Sequence, residues 1–452
     1  AQRVRVCFAV LHWDNNQLRP GAEAVGLHNA EDVRVDCCGD IGPCAFTVAA
    51  HGDSFCSGSP AVINASLCGA VQAWKEAGQE GRVYGMLNGI EGFLADRVTD
   101  LTALTEEELK LLRLTPAAYL GSCRFKLPED LTDAVYSAVF DNLREMNIGY
   151  FLYVGGNDSM DTVDKLSRFA ARTGSDVRFI GIPKTIDNDL VLTDHTPGFG
   201  SAAKYVASTV REIVLDASVY QQRSVTIIEI MGRHAGWLTA ASKLARKYEG
   251  DNPILIYLPE APFELEAFYH DLERAFEKTA NVVVCVSEGI ADAGGTFICE
   301  YSDAAKLDSF GHKMLTGCGE VLESFVRDRF HVKVRSIELN VSQRCSGMLA
   351  SRTDIEESAM AGTFGVRAAL SGETGKMAAF QRISDVPYEL SCCLEPVGRI
   401  CNQEKKFPAE WISEGGSDVT DSFLPYILPL IQGEPERIME NGLPRYLYRQ
   451  PA

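Results

Sequence analysis

The chain has 452 residues, a formal charge of −19 and 14 cysteines, none in a CxxC spacing. Its length predicts two or three domains, and acidity without any basic run excludes the electrostatic footprint of a nucleic-acid partner. No apolar run reaches the ~18 residues of a membrane span, and the scattered cysteines exclude a zinc ribbon or a disulfide scaffold. We therefore expect a cytoplasmic protein in reducing surroundings, with no membrane partner.

Residues 1–10 read as a short strand rather than a targeting segment, because no small-residue cleavage site follows the brief apolar run. Residues 15–40 are polar and turn-rich, so 1–45 stand as an N-terminal extension of unclear role. From Ala45 onward strands and helices alternate. Strands are predicted at 45–50, 82–88, 150–154, 177–182, 225–230, 253–257 and 282–286, and helices at 61–71, 106–112, 131–146 and 201–219. Thr105 reads as the N-cap of the 106–112 helix, with acids in the first turn. Alternation continued to about residue 380 favours parallel sheets covered by helices. The proline- and aromatic-rich tail, 383–452, reads as a cap on the core.

Two loops carry the chemistry. The strand at 150–154 runs into Gly155-Gly156-Asn157-Asp158-Ser159, and the strand at 177–182 runs into Pro183-Lys184-Thr185-Ile186-Asp187-Asn188-Asp189. In open α/β sheets ligands bind at the carboxyl ends of strands. Gly155 and Gly156 let the backbone approach a ligand, and a helix starting near Ser159 aims its first N–H groups at an anion. Asp158, Asp187 and Asp189 with the ammonium of Lys184 suit a metal-bound phosphate beside a general base.

These loops, together with Gly121-Ser122-Cys123-Arg124, Pro197-Gly198-Phe199-Gly200-Ser201, Met231-Gly232-Arg233-His234-Ala235-Gly236-Trp237, Ser287-Glu288-Gly289 and Gln343-Arg344, resemble the phosphofructokinase family. Within it they resemble the branch that uses pyrophosphate. The resemblance implies two similar Rossmann-like α/β domains with mainly parallel sheets covered by helices, plus a C-terminal cap. Residues 46–190 would be the donor domain for pyrophosphate and magnesium, 191–382 the sugar-phosphate domain, and 383–452 an extension packing on the core. It also implies a glycolytic, magnesium-dependent and reversible transfer of a phosphoryl group to the 1-hydroxyl of fructose 6-phosphate.

By position in the family's motifs, Asp187 is the general base. Thr185, Ile186 and Asp189 hold the sugar, Met231, Gly232 and Arg233 line it, and Glu288 bonds its hydroxyls. Arg344 pairs with the 6-phosphate, while Arg335 matches an arginine that reaches the 6-phosphate of a neighbouring subunit, implying a homodimer or homotetramer. Ser57, Gly58, Arg124, Gly156 and Ser159 fall on the donor-binding positions, and Asp158 on the metal. Asp158 and Lys184 replace two glycines of the ATP-using members. A carboxylate at 158 repels the α-phosphate of a nucleotide, and a lysine at 184 neutralises a short donor. Four residues depart from the family pattern: Ser57, Ser224, Val341 and Asn157, the last standing where ATP-using members carry a magnesium-binding aspartate. They leave open a non-catalytic, regulatory subunit that binds sugar phosphate; an ATP-dependent phosphofructokinase is the lesser alternative.

Overall fold

The computed structural model describes residues 6–9, 61–79, 81–123, 125–301 and 317–449. The expected strand at 45–50, Ser57, Gly58 and Arg124 lie outside these residues. In chain order the strands of the two large sheets are β1 (Val6–Ala9), β2 (Val83–Met86), β3 (Val98–Asp100), β4 (Tyr150–Gly155), β5 (Arg178–Pro183), β6 (Ser224–Ile230), β7 (Leu255–Tyr257), β8 (Asn281–Ser287), β9 (Lys333–Glu338), β10 (Lys376–Asp385) and β11 (Tyr388–Pro396). The first sheet has the order β11-β10-β5-β4-β1-β2-β3, and the second has the order β7-β8-β6-β9. In the first, β10, β5, β4, β1 and β2 are parallel, while β11 and β3 close the edges antiparallel. The second is parallel throughout.

The apolar runs read as strands form this parallel core because both faces of such a sheet are covered. Every residue of β8 is buried, and so is β4 from Phe151 to Gly155. The 106–112 helix extends over Glu106–Leu114, and its cap closes reciprocally: Glu108 N–H donates to Thr105 Oγ1 (3.2 Å) and Thr105 N–H to Glu108 Oε2 (2.8 Å). Among the described residues no helix is long and apolar enough to cross a membrane.

The expected boundary at 382/383 falls inside β10, a strand of the first sheet. After the second sheet the chain returns to the first through helix Arg352–Leu370, which lies on helix Ile63–Glu76 backbone against backbone. A Cβ on Gly69 would lie 2.0 Å from Ala359 O, and one on Gly362 would lie 2.0 Å from Ser66 O, so only glycine admits this approach. Beyond β11 the tail crosses to the second sheet. There Phe407, Trp411, Phe423 and Tyr426 surround Trp237 with ring centroids 5.1–6.4 Å from it. Such ring pairs each add about 0.5–1.5 kcal/mol beyond the burial of their surface.

Candidate active site

β4 and β5 pair in register from Tyr150–Arg178 to Gly155–Pro183, so the two chemistry-bearing loops leave the same edge side by side. Lys184 N–H donates to Gly155 O (2.9 Å), holding them together one residue further. Gly156 precedes helix Asn157–Thr173, which has no side-chain cap among the described residues; Asp158 lies in its first turn. The first N–H groups of that helix thereby stand at the mouth of the loop, with the half-buried Asp158 in the same turn.

The second loop is folded on itself. Thr185 N–H donates to Pro197 O (3.2 Å), and Thr196 Oγ1 donates to Thr185 O (2.8 Å). Thr185 Oγ1 donates to Asp187 Oδ2 (3.2 Å) while accepting from Asp187 N–H (3.1 Å). Asn188 takes the left-handed conformation (φ 54°), which asparagine tolerates, and its side chain is buried. The Oδ1 atoms of Asp187 and Asp189 are enclosed and have no hydrogen-bond partner among the described residues.

The second sheet closes the site from the other side. At the end of β6, Gly232 adopts φ 143°, and a Cβ there would lie 2.6 Å from Ala235 O. Gly232 N–H donates to Glu288 Oε1 (3.3 Å) at the end of β8, and Met231 N–H donates to Gln343 Oε1 (3.2 Å), beside Arg344. Arg233 Nε is enclosed without a partner among the described residues.

The charges of both sheets act on one another. Burial pushes the Asp187 carboxyl up to about 8, reinforced by the carboxylates of Asp189 and Glu288 and opposed by Thr185 and Lys184. Asp189 is pushed up to about 6, again first by burial. Burial drives Lys184 down to about 8 against the pull of Asp187, and the Arg344 guanidinium lowers it further. A carboxylate that takes up a proton near neutral pH, flanked by cations, is equipped to remove a hydroxyl proton while a phosphate sits alongside.

Lys184, Asp187 and Asp189 thus lie close enough to Glu288 and Arg344 for their charges to act on one another, with Gly156, Asp158 and Ser159 on the adjoining loop and Met231 and Gly232 bonded to Gln343 and Glu288 on the facing one. Ile186 differs in kind: its side chain is fully buried in the core of the second sheet, so any ligand contact falls to its backbone. Arg335 stands apart, exposed on the edge strand β9, where it lines a cavity of about 360 Å³ with Tyr220, Gln222, Ser224 and Lys333. Val341 is 51% exposed. Sequence reasoning missed Lys405, whose backbone N–H donates to Asp189 O (2.7 Å) and whose Nζ donates to Asn188 Oδ1 (3.3 Å). No local pattern marks a lysine more than 200 residues from its partners.

Fold and site together define a two-sheet α/β protein in which acidic and basic residues at the carboxyl ends of strands from both sheets act on one another. The family model described as phosphofructokinase matches residues 54–370, and the chain belongs to that family. It is 39% identical over 392 residues to the pyrophosphate--fructose 6-phosphate 1-phosphotransferase of Halomonas elongata, covering 86% of this chain and 93% of that one. An ATP-dependent 6-phosphofructokinase of Corynebacterium efficiens is 30% identical over 354 residues, 78% of this chain and 93% of its own. Among solved structures, the pyrophosphate-dependent phosphofructokinase of Marinobacter aquaeolei superposes with a TM-score of 0.79 at 35% identity, covering 89% of this chain and 95% of that one.

Proposed function

We propose that this protein transfers a phosphoryl group from pyrophosphate to the 1-hydroxyl of fructose 6-phosphate, reversibly, as a cytoplasmic enzyme of glycolysis. The observation that carries the donor choice is the placement of Asp158 and Lys184 on two paired loops beside the enclosed carboxylate of Asp187. Asp187 takes the proton of the 1-hydroxyl as the new O–P bond forms, and the P–O bond of pyrophosphate breaks to release phosphate. Lys184 neutralises charge on the transferring group, which is the main demand of such a reaction. Asp158 stands where the α-phosphate of a nucleotide would approach, and repels it.

Glu288, Met231, Gly232 and Arg233 line the sugar, Thr185, the Ile186 backbone and Asp189 hold its reacting end, and Arg344 forks onto the 6-phosphate. Gly156 and Ser159 at the helix start, with Ser57, Gly58 and Arg124, hold pyrophosphate. Among the described residues no cluster of three or more His, Cys, Asp or Glu side chains suits a metal ion. Magnesium nevertheless fits, because it is commonly held by one or two carboxylates, substrate phosphates and water. Asp158 would hold it, and when bound it supplies charge neutralisation to the phosphates. The first sheet, which includes β1, β10 and β11, carries the donor side and the second sheet the sugar side, while Arg335 completes a partner's site in a homodimer or homotetramer.

A coupled assay of the purified protein tests the reading: fructose 1,6-bisphosphate forms with pyrophosphate and not with ATP. Turnover with ATP alone overturns the donor assignment, and fructose 6-phosphate binding without turnover with either donor leaves a regulatory subunit.

A further inference from the structure

The segment 401–407 crosses all three loops of the cleft. On the donor loop, the Asn157 side-chain amide bonds two backbone groups of the tail: its Oδ1 accepts from Asn402 N–H (2.6 Å), and its Nδ2 donates to Gln403 O. On the acidic loop, Lys405 N–H donates to Asp189 O (2.7 Å). Lys405 Nζ donates to Asn188 Oδ1 (3.3 Å), Thr193 O (3.2 Å) and Asp194 O (2.8 Å). On the sugar loop, Trp237 Nε1–H donates to Lys405 O (3.0 Å), Lys406 Nζ donates to His234 O (2.6 Å), and Gly236 and Phe407 N–H both donate to Glu260 Oε1 (2.9 and 2.8 Å).

We propose that this segment is a positioning strap for phosphoryl transfer, fastened by Asn157 to the donor loop and by Lys405 to the acidic loop. The proposal rests on Asp187 being the base. Two observations separate it from plain packing. Asn402, Gln403, Glu404 and Lys406 are exposed, so this part of the strap buries little apolar surface and spends its polar groups on the backbones that carry site residues. Asn157 must offer a donor and an acceptor at once, which an amide does and a carboxylate does not; an aspartate there would set a carboxylate against Gln403 O. The identity of residue 157 therefore follows from the strap. Asn188, gripped by Lys405 and donating to the hydroxyl of Tyr426 (2.8 Å), lies between the two acidic site residues, so the strap sets Asp187 and Asp189 relative to Asp158.

The test compares Asn157→Ala, Asn157→Asp, Lys405→Met and Lys405→Arg in the full chain. Readouts are kcat, KM for pyrophosphate, fructose 6-phosphate affinity by calorimetry, and Tm. Misplacement of reacting groups by ~1 Å costs about 100-fold. Asn157→Ala and Lys405→Met should therefore lose about 10- to 100-fold in kcat/KM for pyrophosphate, with fructose 6-phosphate affinity within about twofold. Asn157→Asp should fall below Asn157→Ala, and Lys405→Arg should recover part of the loss of Lys405→Met. If Asn157→Asp matches or exceeds the parent, residue 157 serves the metal and the strap is overturned. Parent-like kinetics in both Asn157→Ala and Lys405→Met also overturn it, provided Asp187→Asn is inactive. An active Asp187→Asn removes the base assignment instead. Should Lys405→Met fail to fold, the half-buried Asn157 arm decides alone.

Discussion

At the scale of single residues, the cleft concentrates carboxylates that burial keeps from ionising. Asp187, raised to about 8, binds a proton in the folded chain over a range in which the unfolded chain has released it. A carboxyl shifted upward contributes stability that is present below its unfolded value and lost as pH rises through the folded one. The shift is worth about 1.4 kcal/mol per unit. Asp187→Asn should therefore raise Tm, by several degrees more at pH 8 than at pH 5 in thermal scans, while lowering turnover about 10³-fold. In the parent, kcat/KM for fructose 6-phosphate should climb as pH rises towards 8, since the free enzyme must lose that proton to act as base. The donor residues are tested together: Asp158→Gly with Lys184→Gly should cut kcat/KM for pyrophosphate by about 10² or more, the loss of a charge-assisted contact, and kinetics with both donors read the outcome. The setting of Gly156 and Asp158 was legible because a strand, a turn and a helix follow one another locally, and that of Lys184 because it directly follows the apolar strand β5. Asn157 was legible only as a departure from the family, and its partners 402 and 403 were not legible at all.

At the scale of elements, two devices hold the loops. The first is the contact between helices Ile63–Glu76 and Arg352–Leu370, which needs Gly69 and Gly362. Gly362→Val should cost about 3 kcal/mol through backbone overlap, read as a shift in denaturant midpoint. The second is a buried ion network linking the 190–196 loop, helix Arg352–Leu370 and the β10–β11 hairpin. His195 bonds Asp194 through Nδ1 and Glu357 through Nε2 (2.8 Å each), Tyr388 donates to Glu357 (2.7 Å), and Arg382 forks onto Asp194. Burial alone would lower the His195 pKa, but Glu357 and Asp194 overcome it and raise it to about 9. Its contribution is present below the ordinary histidine value and lost as pH rises through about 9. His195→Gln should remove that stability at pH 7 and change little at pH 10 in urea titrations.

At the scale of the molecule, the described site residues come from two sheets and a tail, and Arg335 lies exposed on the edge strand β9, lining a separate cavity with Ser224 and Lys333. If it serves a neighbour, Arg335→Ala should raise KM for fructose 6-phosphate about 10-fold or more, the scale of a lost charged contact. Mixed oligomers of Arg335→Ala with Asp187→Asn chains should then combine turnover, which Asp187→Asn lacks, with a parent-like KM for fructose 6-phosphate, which Arg335→Ala lacks, measured after co-expression and purification of the hybrid.

Much was readable in the chain itself. Strand and helix positions, the parallel class and the acidic loops follow from periodicity, turn chemistry and short motifs, all of which act within about a dozen residues. Tertiary structure decided what distance in sequence hides. β10 and β11 belong to the first sheet because two glycines let their preceding helix dock there, a contact between positions almost 300 residues apart. Ile186 sits among the site residues in sequence and inside the core in space. Lys405 reaches the acidic turn because the tail's aromatic cluster seats it on Trp237. Local chemistry chose the reacting groups, and packing between remote segments chose where they stand.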